Sequence, residues 1–333
     1  MTIDGLDLDT PIQDDRPCGE NLEETPLMAS IDADQLFGQP VPLDPTLPWP
    51  EIKARAVEAL GKSKDFRLLT YLAAALLRTD GLLPFLDTVG VASRWLAAHW
   101  ADVYPLIDED AIVRRNALSG FADPHAVLDA LRRAPLVSSR QHGRFSFRDV
   151  ELVAGQAQPA EGEALPDGRL IDSAFASVPL DSLVAVQQGL AAAMAGLQDI
   201  DARMRSNGGS EAAPEVERLR TQLARMDAVV RKQMAARPDA AGLVEADGAG
   251  GDGGGQAAGP APVGAIGSRQ DAVRAMEAVA EFFRQNEPSS PIPLLLERAA
   301  RLVSKSFLDV LADMAPDAVA QARAAGGLKK DEE

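Results

Sequence analysis

The residues closest to a catalytic pattern are Ala56-Val57-Glu58-Ala59-Leu60-Gly61-Lys62-Ser63, which imitate a phosphate-binding loop. That loop needs a glycine at its first position and a strand before it, so that backbone amides can wrap the phosphates. Here Ala56 holds the first position and the residues ahead of Gly61 have a helical pattern. Lys62 and Ser63 then fall at a helix C-terminus, where the dipole repels anions. The segment reads as a helix stop. Asp108-Glu109-Asp110 is the densest carboxylate cluster. It lacks the alternating oxygen donors, central glycine and distal glutamate of a calcium loop. Acidic residues opening the next helix, answered by Arg114 and Arg115 one turn on, account for it. His99, His125 and His142 share no helical face, so they make no metal site. No serine sits in a nucleophile elbow. Cys18 has only Arg16 nearby to activate it and reads as a structural thiol. Trp49, Trp95, Trp100 and Tyr104 could line a pocket, but Trp95 and Trp100 are spaced as core anchors of a helix. No catalytic, cofactor-binding or metal-binding residue is assigned, and the chain is read as a non-enzyme.

The bulk properties narrow the class further. At 333 residues the chain has room for two or three domains, and its net charge of −17 argues against nucleic-acid binding or an anionic membrane surface. A single cysteine leaves no internal disulfide and suits a reducing cytosol. The acidic start, Met1-Thr2-Ile3-Asp4-Gly5-Leu6-Asp7, lacks a secretion-signal pattern. No stretch approaches the uncharged length needed to cross a bilayer. The expectation is a soluble cytoplasmic protein without direct membrane insertion.

The elements are mostly helical. Residues 1 to about 48 are proline-rich and aperiodic, an irregular lead-in laid over a domain surface. Helices are predicted over Pro50–Leu60, Asp65–Thr79, Leu82–His99, Ala111–Phe121 and Pro124–Ala134, joined by short turns. Arg144 to Val153 alternates apolar and polar residues and predicts a short strand or extended edge. A loop over Gly155–Gly168 precedes two more helices, Ser182–Ser206 and Ala213–Ala236. The fold class is therefore mainly all-α. An N-terminal helical domain with a short β element spans 1–158, and a middle helical region spans 159–237. A Gly/Ala linker covers 238–267, and a C-terminal oligomerisation hairpin covers 268–333.

That hairpin carries the strongest functional signal. Its first helix presents Val273, Met276, Val279, Ala280 and Phe283. In its second, Ser290 can serve as N-cap with Pro291 at the first helical position. From there Ile292, Leu295, Leu296, Ala299, Leu302, Val303, Phe307, Val310 and Leu311 recur at three- and four-residue spacing. Two helices cannot hide this much apolar surface alone, at roughly 1.5–3 kcal/mol per large side chain left exposed. Val273, Met276, Phe283, Ile292, Leu295, Leu296, Leu302, Val303, Phe307 and Leu311 are accordingly the candidate oligomerisation residues.

Several segments resemble the TssA family of the bacterial type VI secretion system, with its ImpA-related N-terminal domain. They are Pro11-Ile12-Gln13-Asp14-Asp15-Arg16-Pro17-Cys18-Gly19-Glu20-Asn21-Leu22, Phe37-Gly38, Trp49-Pro50-Glu51-Ile52, Ser63-Lys64-Asp65-Phe66-Arg67, Leu76-Leu77-Arg78-Thr79-Asp80-Gly81, His99-Trp100, Arg115-Asn116-Ala117-Leu118 and Ala134-Pro135-Leu136. Together they cover about residues 10 to 155. Phe282-Phe283-Arg284 and Glu287 to Leu296, with Arg301-Leu302, resemble the end of the short, baseplate-associated members. The resemblance implies a non-enzymatic assembly component: a ring-like homo-oligomer at the baseplate that recruits baseplate, tube, spike and sheath proteins. The alternatives are a distal-end sheath cap, a monomeric adaptor to a chaperone or ATPase and, remotely, a nucleotide-dependent enzyme.

Overall fold

The computed structural model divides into two compact units, Met1–Gly250 and Gly251–Glu333. In the first it describes residues 1–107, 111–160, 163–237 and 239. In the second it describes residues 273, 276, 277, 279–281, 283, 284 and 291–302, the last two by backbone alone.

The first unit is built around one helix that is apolar on every side. α3 (Phe66–Thr79) follows α1 (Pro26–Asp32) and α2 (Trp49–Leu60), and it buries every residue from Leu68 to Leu77. A helix without a polar face must be enclosed. It starts where the Asp65 carboxylate accepts the Arg67 amide at 2.7 Å, the N-cap arrangement. α2 covers one side with Ile52, Ala56, Ala59 and Leu60, and α4 (Leu82–Ala98) another with Phe85, Val89, Ala92 and Leu96. α5 (Ile112–Ser119), a 3-10 turn (Gly120–Ala122), a π-helical turn (Pro124–Leu128) and α6 (Asp129–Arg133) complete the enclosure.

The lead-in is less irregular than its prolines predict. It holds a minimal hairpin, β1 (Thr2–Ile3) with β2 (Leu6–Asp7), and Thr25 caps α1 by accepting the Met28 amide at 3.3 Å. A second hairpin pairs β3 (Pro135–Ser139) with β4 (Gly143–Ser146) in antiparallel register, Ser138 opposite Arg144. The strand predicted over Arg144–Val153 stops at Ser146. There the Ser146 hydroxyl and Asp149 carboxylate form a capping box that starts α7 (Phe147–Val153). Local capping outweighs the two-residue alternation.

α8 (Gly168–Ser177) is followed by α9 (Leu180–Gly208), a helix of 29 residues. Leu183, Leu190, Ala193, Leu197, Ile200 and Met204 form its buried stripe, meeting α4 and α10 (Glu217–Ala235). Contrary to the expectation of no membrane-length stretch, an 18-residue window of α9 reaches a mean hydropathy of 1.2. Its apolar stripe is used in helix packing within the unit. The boundary expected at residue 158 falls inside this unit, because α8, α9 and α10 share its core with α3 and α4.

Candidate assembly interface

The motif residues of the first unit hold the lead-in onto the helices. Glu20 N donates to the Lys62 carbonyl at 3.0 Å, and Lys64 N donates to the Cys18 carbonyl at 2.9 Å. The buried Lys64 ammonium donates to the Leu8 carbonyl at 2.7 Å, which also accepts the Trp95 indole N–H at 2.8 Å. On the opposite side Tyr104 N donates to the Lys64 carbonyl (3.0 Å) and Phe66 N to the Tyr104 carbonyl (2.9 Å). The segment 62–66 is thus a clasp between the lead-in and the loop after α4. Gly61 ends α2, Ser63 is fully buried, and Lys62 reaches back to Glu58 at 2.7 Å. This is the helix stop read from the sequence, with no strand ahead of it.

Burial pushes the Cys18 thiol up to about 11 and lowers the Lys64 pKa. A protonated, enclosed thiol is no nucleophile. Arg114 is 1% exposed and donates to the carbonyls of Trp100 (2.8 Å), Val103 (2.6 Å) and Pro105 (2.8 Å), so it organises the loop after α4. Arg115 engages Asn116 and the Glu211 carbonyl. Asp108-Glu109-Asp110 lies outside the described residues. His99, His125 and His142 stay apart: His125 pairs with Asp129 at 3.0 Å, and burial lowers the His99 pKa. Among the described residues no three His, Cys, Asp or Glu side chains group to hold a metal. Trp95 is buried in the core. Trp100 lies 5.0 Å under Arg114, and Trp49 lies 4.0 Å under Arg78.

In the second unit Val273, Met276, Glu277, Val279, Ala280, Glu281, Phe283 and Arg284 are helical, and α11 covers Ile292–Leu302. Val273, Met276, Ala280, Leu296 and Ala300 line a cleft of about 350 Å³. Arg284 bridges Glu281 and Glu297, the latter at 2.6 Å. α11 begins at Ile292, one residue later than expected; the Pro291 carbonyl accepts the Leu295 amide at 3.3 Å, so Pro291 stands just ahead of the helix. Ser290 lies outside the described residues, as do Val303, Phe307 and Leu311, and Leu302 is described by its backbone alone.

The candidate residues divide between two surfaces. Val273, Met276 and Leu296 turn toward the cleft, while Phe283 and Ile292 are half-buried. Leu295 points outward, 63% exposed, and beside it Leu294 is 70% exposed. Leu294 was missed because it falls off the three-and-four spacing. The signal was nevertheless present: three successive leucines subtend about 200° of a helix, more than one neighbour can cover. Val279 adds a third exposed apolar side chain, at 43%.

Comparison with known proteins agrees with this architecture. Residues 10–123 match the family described as ImpA, N-terminal, type VI secretion system. The chain is 31% identical to the type VI secretion system component TssA1 of Pseudomonas aeruginosa, over 94% of this chain and 97% of that protein. It also shares its fold with the N-terminal domain, including the ImpA_N region, of the TssA component from Burkholderia cenocepacia. That match has a TM-score of 0.53 and 23% identity, and covers 68% of this chain and 91% of that one. Extended likeness at this identity, over nearly the whole length of both proteins, places the chain in the TssA family of type VI secretion system components.

Proposed function

We propose that the chain is a non-enzymatic, cytoplasmic assembly factor of the type VI apparatus, acting at the baseplate. Residues 268–333 close a ring-like homo-oligomer, and residues 238–267 tether to it an arm made of residues 1–237. The arms recruit baseplate, tube, spike and sheath proteins, and their local concentration around a ring turns weak contacts into avidity. The observation that carries this reading is the outward pair Leu294 and Leu295 on α11, adjacent apolar side chains 70% and 63% exposed. The relative named as a type VI secretion component supports the setting.

The test is the mass of the full chain by size-exclusion chromatography with light scattering. The wild type should run as a multiple of 35.2 kDa, and Leu294→Asp with Leu295→Asp should fall toward that single-chain mass. Far-UV circular dichroism should stay nearly unchanged. A wild type of single-chain mass at tens of micromolar, or a variant of undiminished mass, refutes the proposal.

A further inference from the structure

The two apolar surfaces of the second unit face away from each other. Leu296, Glu297 and Ala300 line the cleft of about 350 Å³, so they mark one side of α11. Leu294, Leu295 and Arg298 are all exposed. At about 100° of helix per residue, they centre about 170° from the cleft-lining three. The cleft and the leucine knob therefore stand on opposite sides of one helix.

Their chemistry is complementary. The cleft is walled by Val273, Met276, Ala280, Leu296 and Ala300, and an unbranched methionine side chain adapts to what enters. The knob is an adjacent pair of leucines, 70% and 63% exposed. Charge follows the same division. At the cleft, Arg284 is bridged to Glu281 and Glu297, while Glu277 is exposed and has no ion-pair partner among the described residues. On the knob side Arg298 stands one turn beyond Leu294. A cation beside the leucines and a carboxylate beside the cleft favour contact between these two surfaces and disfavour contact of either with its own kind.

Opposite placement also decides the geometry. A chain cannot seat its own leucines in its own cleft. A two-fold contact in which each copy fills the other's cleft needs both surfaces on one side of the unit. Knob against knob sets Arg298 against Arg298 and leaves both clefts open. Head-to-tail contact alone mates unlike surfaces.

We infer that copies of this chain join head to tail, with Leu294 and Leu295 of one copy seated in the Val273, Met276 and Leu296 cleft of the next, and Arg298 against Glu277. The inference rests on the self-association proposed for residues 268–333, and adds its polarity and the surface that receives the leucines. Any open row of such contacts ends in one bare knob and one empty cleft. Closure on itself is the finite arrangement that fills every cleft.

The test is cross-linking of the full chain. Cys18 is its single cysteine and is 2% exposed, so introduced thiols are read against a silent background. Leu295→Cys and Glu277→Cys are made singly and together, treated with a short bis-maleimide, quenched and run on a denaturing gel. Both positions are exposed, so the variants keep their fold, checked by circular dichroism. The double variant should give a ladder of two, three and more linked chains, with at least tenfold more linked product than either single variant. A strong two-chain band from Leu295→Cys alone, or a double variant no better linked than the singles, overturns the inference. Light scattering separates this from the reading beneath it. A wild type of single-chain mass removes both, whereas an oligomeric wild type without the ladder removes head-to-tail joining alone.

Discussion

Gly19 is the position where one methyl group should do most harm. Its φ is +74°, and a β-carbon built there would lie 2.1 Å from the Lys62 carbonyl oxygen. The left-handed conformation costs an L-residue about 1 kcal/mol. The clash is the larger effect. Backbone must separate from backbone by about 1 Å to reach ordinary contact, and the hydrogen bonds Glu20 N to Lys62 O and Lys64 N to Cys18 O sit on either side of the contact. Losing both adds about 1 kcal/mol each, more where a buried group is left unpaired. Gly19→Ala should therefore destabilise the first unit by about 3–4 kcal/mol. With a urea dependence of about 2–3 kcal/mol/M, the unfolding midpoint should fall by about 1–2 M. Cys18 gives a second, local readout, because it is 2% exposed and its thiol is held up at about 11. Loosening of the clasp should raise its labelling rate by a disulfide reagent at pH 8 well before global unfolding. A variant within about 1 kcal/mol of wild type, with unchanged Cys18 labelling, would refute the assignment of residues 62–66 as the clasp.

Two further outcomes follow from the same region. The Leu8 carbonyl accepts from both Lys64 and Trp95, so Lys64→Met alone should cost less than about 1 kcal/mol in urea unfolding. Lys64→Met with Trp95→Phe should cost about 1–3 kcal/mol more than the sum of the singles, because only then is the carbonyl bare; strict additivity would rule out a shared acceptor. Asp9, hydrogen-bonded by Arg94, is held down at about 2. A depressed carboxylate contributes stability above the ordinary value near 4 and loses it as pH falls toward 2. The thermal midpoints of wild type and Asp9→Asn should thus differ at pH 6 and converge near pH 2, with the gap narrowed by salt.

The helices were legible because their apolar periodicity coincides with what they bury, and α3 and α9 are the clearest cases. Residues 144–153 misled because alternation and capping point different ways, and Ser146 with Asp149 decides locally. The carbonyl partners of Arg114 escaped notice for a different reason, because backbone acceptors leave no mark in a sequence. α8 escaped notice because it is short and follows a glycine-bearing loop, although Asp167 caps it by accepting the Arg169 amide at 2.9 Å. At the candidate interface, spacing located α11 but could not say which leucine turns outward. That depends on how Leu296 seats against Val273 and Met276, a tertiary choice.

Arg237 stands just beyond α10, near the end of the described residues of the first unit. Its guanidinium donates to the carbonyls of Phe175 (2.7 Å) and Val178 (2.8 Å), so this point of the chain is fastened to the turn that leads into α9. A pull transmitted from the following segment is borne first by this pair of charged hydrogen bonds, and only then by α10. Because α10 lies lengthwise against α9, the load would have to slide the two helices past each other all along their contact. The end of α10 is in this way held to the α8–α9 turn before strain reaches its helical hydrogen bonds.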